Sequence, residues 1–554
     1  MWKFLVPFFF LPSAFAASTL NVDLTAPTVY DFAQSSLGIV ANTVLGQVQA
    51  SLAPSGAVGK EVDFGNGSDG VFNDGPPQTG ISVSGPNITF DTGAKSKFNF
   101  KTFNLSVGNT INVIGPNPLW IRVLGNATVS GTILGAGGAG NDNLPNPAAG
   151  PNFGGFSIAS GGAGGNGGTS ASALGTPGIT GTPMVPILIG PSGALAGGGS
   201  GTDQTALGND QGGGGGCNGS GPDALNDAKN GQGALNKGAC AVSRSAIALN
   251  FENLFLGGAG GGGGGPITTG GGPLWLAGGG GGGGGGAIRL TSLQAITVNG
   301  VVSVQGGTGG ADSSCNVNGD CAGGGGGGSG GSVWFQSGQA VAGAGVVSVS
   351  GGPGGGPNYP GGNGSRGVFR QDASGSSVGV FPPGSALNVS FVPAPNQNYV
   401  LVSKPLDFSA GFYTFDSVTE TLSTVSTGCG SSGTLSVLYE SSSDGITFAN
   451  AVPAAQIAQL NNSPYLRFKV QLSTAAVGLP PCLTALSLQY EPTNLKDIKL
   501  TGGFSCGSLD SGGDSKFGGR KPRDTSAPFF EFAAILLIAG ITVFTGKNRK
   551  NLQG

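Results

Sequence analysis

The stretch from Leu254 to Gly310 decides how this 554-residue chain folds, and its residues 278–310 read GGGGGGGGGAIRLTSLQAITVNGVVSVQGGTGG. Nine consecutive glycines lead directly into segments with the pattern of β-strands. Each ordered glycine costs roughly 1–2 kcal/mol of backbone entropy and buries no side chain in return. Ordered tracts therefore require main chains that pack together where Cβ atoms are absent. The alternative is a flexible linker, but the adjoining strand patterns favour the ordered interpretation.

The amino-acid composition excludes several classes of protein function. The chain holds 113 glycines, only 9% charged residues and no histidine. It has no three-residue glycine period, so it is not collagen-like, and its weak net charge of −3 argues against a nucleic-acid partner. Lacking histidine, an enzyme would depend on carboxylates, Lys or Tyr, and residues 98–140 and 254–310 contain no Asp or Glu. The sequence predicts a protein that is not an enzyme and has no cofactor, apart from the calcium site considered below.

Residues 1–16 have the pattern of a secretory signal peptide. Lys3 precedes an apolar core, and Ala14-Phe15-Ala16 is a small-x-small cleavage site. Seven cysteines in an exported chain predict disulfides with one thiol left over. Proximity pairs Cys217 with Cys240, Cys315 with Cys321, and Cys429 with Cys482, although six cysteines allow fifteen pairings. Cys506 is the remaining thiol, a candidate for sorting or for an intermolecular disulfide.

A turn-rich loop follows the N-terminal segment 17–60, to which no role is assigned. Asp63, Asp69 and Asp74 alternate with Asn and Gly in this loop and could supply oxygen ligands to calcium. The spacing departs from the EF-hand pattern, and Asp-Gly pairs are more often simple turns. Both interpretations stay open.

Three segments share one pattern of strand, turn, short strand, glycine turn, short strand and glycine run. They begin at Trp120, Ala287 and Ser332, and the second and third copies start 45 residues apart. Alternating apolar and polar residues fit stacked β-layers that bury their apolar faces against neighbours. The repeats predict a glycine-rich β-solenoid or flattened β-helix over residues 61–380. Residues 141–240 are then either a surface excursion braced by Cys217–Cys240 or a disordered insert.

Two stretches of this region resemble known protein families. Phe64-Gly65-Asn66-Gly67-Ser68-Asp69-Gly70, followed by Trp120 to Ile133 and the glycine runs, resembles bacterial glycine-rich exported surface proteins, although Asn66 stands where Asp is usual. Leu276-Ala277 with the nine following glycines is similar to the glycine-rich domains of anaplastic-lymphoma-type receptor kinases. The resemblance implies a surface location and β-architecture rather than an activity.

Residues 381–495 lose the glycine bias and show five strands with period two, which predicts an all-β sandwich domain. The order Ser442-Ser443-Asp444-Gly445, Tyr465 to Leu472 and Leu483 to Tyr490 is similar to jelly-roll accessory modules of bacterial extracellular proteins. Some relatives of such modules bind carbohydrate. Tyr413, Tyr439 and Tyr465 are the candidates for stacking on a sugar, with core packing as the alternative.

The C-terminal region has the pattern of an anchor. A polar linker, 496–527, precedes an apolar segment at 528–546 that predicts one transmembrane helix, and the basic residues of 547–554 place the tail in the cytoplasm. The arrangement resembles bacterial envelope sorting tails.

The leading hypothesis is a structural or adhesive protein of the cell envelope or cell surface, exported and anchored by this C-terminal segment. Its candidate partners are the envelope or membrane, surface glycans and other cells. The alternatives are a carbohydrate-binding surface module and a polysaccharide-acting β-helix enzyme.

Overall fold

The structure is a computed structural model of the chain. It describes residues 17–36, 38–54, 61–75, 78–142, 153–168, 195–196, 212–218, 228–232, 255, 257–265, 277–311, 322–374, 388–389, 391–392, 395–409, 411, 413–476 and 478–492. These residues belong to one compact unit that spans Met1–Thr493. The predicted signal peptide 1–16, linker 496–527, transmembrane helix 528–546 and basic tail 547–554 lie outside the described residues.

The described chain is nearly all β, as predicted, and its helical segments are the 3-10 helices Pro27–Val29 and Ala454–Leu460. The N-terminal strands are β1 Ser18–Asn21, β2 Tyr30–Asp31, β3 Ile39–Asn42, β4 Gln47–Ala50 and β5 Ala53–Pro54. The strands before the long glycine-rich region are β6 Val71–Asn73, β7 Ile81–Ser84, β8 Asn87–Asp91, β9 Lys97–Phe100, β10 Thr102–Leu105, β11 Thr110–Ile114, β12 Leu119–Val123, β13 Ala127–Val129 and β14 Thr132–Leu134. Within and after that region come β15 Leu195–Ala196, β16 Cys217–Asn218, β17 Ala287–Ser292, β18 Ile296–Val298, β19 Val301–Ser303, β20 Ser332–Ser337, β21 Val341–Ala342, β22 Val346–Ser348, β23 Val368–Ala373, β24 Asn388–Val389 and β25 Phe391–Val392. The C-terminal strands are β26 Asn398–Ser403, β27 Leu406–Asp407, β28 Tyr413–Ser423, β29 Gly433–Ser442, β30 Ala449–Pro453, β31 Tyr465–Thr474 and β32 Cys482–Pro492.

The middle of the chain forms three sheets, which we call the three-sheet body. The first sheet has the order β9-β12-β17-β20-β23-β24, the second β6-β10-β13-β18-β21 and the third β7-β8-β11-β14-β19-β22. All pairings are parallel except that of β7 with β8. The chain visits the first, second and third sheets in turn, so each set of three strands is one coil lying on the previous coil. The second and third copies of the sequence repeat pair in register, Ala287 with Ser332 and Val301 with Val346.

The interior of the three-sheet body is apolar. Alternate residues of every strand point inward, which is why the strands read with period two. At the N-terminal end, Phe72, Phe90, Phe98, Phe100 and Phe103 pack together, and Phe72 stacks on Phe103 at 4.6 Å between ring centroids. Further along, the interior is mostly Val, Ile and Leu, together with Phe335 and Phe369, whose rings pack edge-on at 5.6 Å between centroids.

Glycine runs connect the third sheet back to the first, and their main chains pack together into what we call the glycine bundle. In the run 278–286, hydrogen-bond donation has a period of three. Gly278, Gly281 and Gly284 donate to the run 162–168, Gly279, Gly282 and Gly285 to the run 323–329, and Gly280, Gly283 and Gly286 to the run 135–141. Three residues per turn without internal hydrogen bonds is the symmetry of the polyproline II helix. The glycine tracts therefore lie main chain against main chain, as the ordered interpretation expected.

Glycine is needed in this run for the space it leaves. None of residues 278–286 has positive φ, so these positions are not strained for other residues. A Cβ atom on Gly282, however, would overlap the carbonyl of Gly307, and one on Gly284 would overlap the carbonyl of Gly258. Saturated main-chain hydrogen bonding offsets the entropy lost by ordering the run.

Two antiparallel sheets, which we call the two-sheet unit, combine the N-terminal and C-terminal parts of the chain. One has the order β1-β32-β4-β3 with β28 also on β32, and the other has the order β2-β26-β31-β29-β30 with β27 on β31. Ser18 pairs with Tyr490 and Tyr30 with Ser403. Residues 17–60, to which the sequence assigned no role, thus supply four strands to the unit, and the three-sheet body is inserted between its halves.

The two-sheet unit packs on the three-sheet body through a small apolar cluster. Val40 of β3, Leu52, Val62 and Phe64 meet Leu124 and Leu293, which occupy the same position in the turns of two successive coils. Strands β3 and β4 are buried along their whole length because one face lies on the core of the two-sheet unit and the other faces the coils. This contact positions the cleft described below.

Candidate functional site

Alternating aromatic and basic side chains cross the outer face of the first sheet, at one strand position on five successive coils. We call this row the cation–aromatic ladder, and its members are Lys97, Trp120, Arg289, Trp334 and Arg370. The Arg289 guanidinium lies 4.0 Å from the Trp120 ring centroid and 4.1 Å from that of Trp334. Each cation lies over an aromatic face, where the ring quadrupole attracts it.

The ladder ends in a buried ion pair. Arg370 Nε donates to Asp372 Oδ1 at 2.8 Å, with the two side chains 3% and 0% exposed. Asp372 Oδ2 also accepts from Trp334 Nε1 at 2.7 Å. Burial this deep holds the ladder as part of the structure, since a buried charge is tolerated only when paired and hydrogen-bonded.

Each of the three predicted calcium ligands has its own hydrogen-bond or ion-pair partner within the protein. The Asp63 carboxylate pairs with Arg122, and that of Asp69 with Lys95 at 2.6 Å. Asp74 accepts from the main-chain N–H of Ser106 at 2.8 Å. Burial alone would raise the pKa of Asp74, but hydrogen bonds from Ser106 bring that pKa below its usual value. Among the described residues no group of three His, Cys, Asp or Glu side chains is placed to hold a metal ion.

The predicted disulfide between Cys429 and Cys482 is confirmed. It ties the loop after β28 to the start of β32 in the two-sheet unit. Cys217 is also disulfide-bonded, and its partner lies outside the described residues. Cys240, Cys315, Cys321 and Cys506 lie outside them as well.

A cleft of about 280 Å³ opens between the coils and the two-sheet unit. We call it the amide cleft, because Asn42, Gln49, Gln294 and Gln339 line it. Gln294 and Gln339 occupy one turn position on successive coils, held by Ser337, whose hydroxyl donates to the Gln294 carbonyl at 2.6 Å. The preceding turn position carries Leu124, then Leu293, then Gly338, so the leucine series ends where the cleft begins. The three segments that form the cleft are distant in sequence and meet only in the fold.

The three tyrosines proposed as sugar-stacking candidates have packing roles. Tyr439 is 5% exposed and donates to Glu420 Oε1 at 2.8 Å, and Tyr413 packs edge-on against Phe408 and Tyr490. Tyr465 begins β31 beside Gly445. These contacts match the core-packing alternative.

Sequence reasoning missed both the ladder and the amide cleft. The signal for the ladder was the alternation of Trp and Arg at one position of the aligned repeats. The signal for the cleft was the change from Leu293 to Gly338 at one turn position of the repeats, followed in both repeats by a glutamine, Gln294 and Gln339. Neither of these two sequence patterns shows which side of the coils packs against the N-terminal strands.

No family model, no curated protein and no solved structure matches this chain. Among the helices of the described part of the chain, none is long and apolar enough to cross a membrane.

Proposed function

We propose that this chain is a non-catalytic structural or adhesive protein of the cell surface. Its three-sheet body would act as a glycine-rich β-solenoid scaffold, and its two-sheet unit as a jelly-roll-like module. The threefold main-chain hydrogen bonding of residues 278–286 carries the proposal. A bundle with no side chains inside it holds no catalytic groups. It resists bending because its central run, 278–286, is hydrogen-bonded to three neighbouring runs.

The charges of the body support a structural role. Three described carboxylates of the body, Asp63, Asp69 and Asp372, are paired with basic side chains. Three others, Asp74, Asp91 and Asp142, accept hydrogen bonds from main-chain N–H groups, so all six contribute to the scaffold. A glycosidase, by contrast, needs two carboxyl groups facing one another across a substrate. The scarcity of Asp and Glu in the repeats favours the same view.

Location at the surface rests on the sequence of the two ends. In this proposal, the signal peptide 1–16 directs export, and residues 528–546 anchor the chain in the envelope with 547–554 on the cytoplasmic side. Cell fractionation with protease shaving of intact cells, followed by mass mapping of the C-terminus, tests both. Release of peptides from the body and the two-sheet unit is expected. Full protection of these peptides until the cells are lysed would overturn the surface location.

A further inference from the structure

We propose that one face of the glycine bundle binds a neutral polysaccharide through the rings of Phe153 and Phe156. This inference deepens the adhesive function proposed above by naming the class of partner, and it rests on that function only for its biological setting. Among the residues whose side chains the structure describes, these two carry the only exposed aromatic rings, and they are 60% and 68% exposed. Exposed apolar side chains that lie together in this way mark an interaction surface.

Four neighbouring runs of the bundle form this face, which we call the outer glycine face. Each run reads X-Gly-Gly-X, and the four are 153–156, 136–139, 305–308 and 350–353. Main-chain hydrogen bonds join them side by side, from Gly138 to Phe156, from Gly137 to Gln305 and from Gly306 to Ser350. Because the main chain makes one turn in three residues, the two X side chains of a run point to the same side. That side is open to solvent, since every X residue is exposed except Ala136, which is partly exposed.

The ring of Phe156 lies on the neighbouring run. A Cβ atom on Gly138 would come within 3.1 Å of two carbons of this ring, so the glycine leaves the space in which the ring rests. The Phe153 carbonyl accepts from Asn141 as the Phe156 carbonyl accepts from Gly138, so the two phenylalanines are placed alike. They are one turn apart, a distance of about 9 Å along the run. Two aromatic surfaces at a regular spacing suit a partner with a repeating structure.

The chemistry of the outer glycine face favours an uncharged partner. The C–H groups of a sugar ring can pack on the two phenylalanine rings, while its hydroxyls exchange hydrogen bonds with amide and hydroxyl side chains. Nucleic acid also stacks on aromatic rings, but it requires basic side chains along its backbone. One turn beyond the face, the Asp142 carboxylate accepts from the N–H of Ala311 at 2.8 Å. The other X residues of the face are small or uncharged, namely Ala136, Ala139, Gln305, Thr308, Ser350 and Pro353.

A second copy of the chain fits the outer glycine face less well. Inside the bundle, runs approach closely because Cβ atoms are absent, as where Gly282 meets the carbonyl of Gly307. Every X residue of the outer glycine face has a Cβ atom, which keeps a further run from packing in the same way. The two rings can bury at most about 150–250 Å² each. A stable interface between proteins requires about 800 Å² on each partner.

Binding of the full chain, purified in detergent, to microcrystalline cellulose, chitin and starch granules tests the proposal. Saturable binding to at least one of these neutral polymers is expected. Phe153→Ala/Phe156→Ala should weaken binding at least about tenfold, because both stacking surfaces are lost. Phe153→Tyr/Phe156→Tyr keeps the rings and should retain binding. The matched control is Val425→Ala/Ile446→Ala, which removes two apolar side chains of the two-sheet unit that are 94% and 82% exposed, and it should bind as the parent does.

Ala139→Glu provides a further variant that keeps both rings. Ala139 is exposed, so the longer side chain does not enter the bundle, but it sets a charge beside the rings and should weaken binding. The proposal is overturned if none of the three polymers binds saturably, or if the phenylalanine-to-alanine variant binds as the parent does. It is also overturned if sedimentation shows a dimer that this variant abolishes, because the face would then join two copies. Protease shaving would still report surface location in each case, so failure of the ligand and failure of the proposed function remain distinguishable.

Discussion

The indole Nε1 of Trp334 donates a 2.7 Å hydrogen bond to Oδ2 of Asp372, on the adjoining strand of the first sheet. The same carboxylate holds Arg370. Asp372→Ala removes the counter-charge of a buried guanidinium, so we expect the free energy of unfolding to fall by about 3–5 kcal/mol. Asp372→Asn keeps an acceptor for Trp334 and should lose less. Guanidinium chloride unfolding measures both, and a loss below about 1 kcal/mol for Asp372→Ala would contradict the assignment.

The glycine bundle predicts that a single methyl group is disruptive. Gly282→Ala places Cβ on the carbonyl of Gly307, where only backbone could move, so we expect a loss of at least about 3 kcal/mol or failure to fold. Gly93→Ala is the matched control, because its Cβ would meet a movable carboxylate oxygen of Asp91 at 3.1 Å. Thermal unfolding compares the two. Equal midpoints would show that the runs are loosely packed.

The period of three predicts how the bundle tolerates changes in length. Inserting one glycine within residues 278–286 rotates every later N–H toward the wrong neighbour. Inserting three glycines restores the facing of each residue and adds one turn. Amide exchange should therefore be faster throughout the bundle in the one-glycine variant than in the three-glycine variant. Similar exchange in the two variants would argue against a threefold helix.

The disulfide predicts a redox-dependent stability of the two-sheet unit. Cys429 and Cys482 close a loop of 53 residues, and the chain-entropy relation gives about 4 kcal/mol for a loop of that length. Cys429→Ala/Cys482→Ala should lower the unfolding midpoint of this unit, measured by tyrosine fluorescence, while amide protection of the glycine bundle persists. An unchanged midpoint would refute the stabilising role.

Asp444 predicts an acid-dependent loss of stability. Hydrogen bonds from the main chain of Thr447, then Ile446, and from the Ser442 hydroxyl lower the pKa of Asp444 to about 2. Because the folded pKa is depressed, the stabilisation is present above the unfolded pKa near 3.8 and is lost as the pH falls toward 2. The stability difference between the parent and Asp444→Asn, measured by urea unfolding, should shrink between pH 5 and pH 2. A constant difference would exclude this contribution.

The sequence predicted much of the fold where a pattern is local. Strands such as Tyr465–Thr474 alternate cleanly because one face is buried and the other is wet. The glycine tracts implied main-chain packing because nothing else offsets their entropy. Strand β3 escaped notice because both of its faces are buried, which removes the alternation that marks a strand. Strand β4 does alternate, as Gln47-Val48-Gln49-Ala50, but four residues are too few to mark a strand among the short apolar runs around them.

The candidate site was harder to predict than the fold. Gln49, Gln294 and Gly428 come from three segments that no local pattern links. The pairing of β4 with β32 and the Cys429–Cys482 disulfide bring Gly428 to Gln49, and packing of β3 on the coils brings Gln294. Each of these residue types is ordinary on a protein surface. What distinguishes Gln49 from an ordinary surface glutamine is its burial, and that burial depends on long-range packing.

Ser18 of β1 pairs with Tyr490 of β32, so the first strand of the described chain cannot pair until the last strand has been made. During synthesis β1, β3 and β4 emerge well before β32, so their edges stay open while the whole three-sheet body and its glycine bundle are being made. Contacts this far apart in sequence are slow to form. The two-sheet unit can therefore complete its first sheet only after β32 has been made. A chain that ended before Cys482 would expose the unpaired edges of β1 and β4, and such edges promote aggregation.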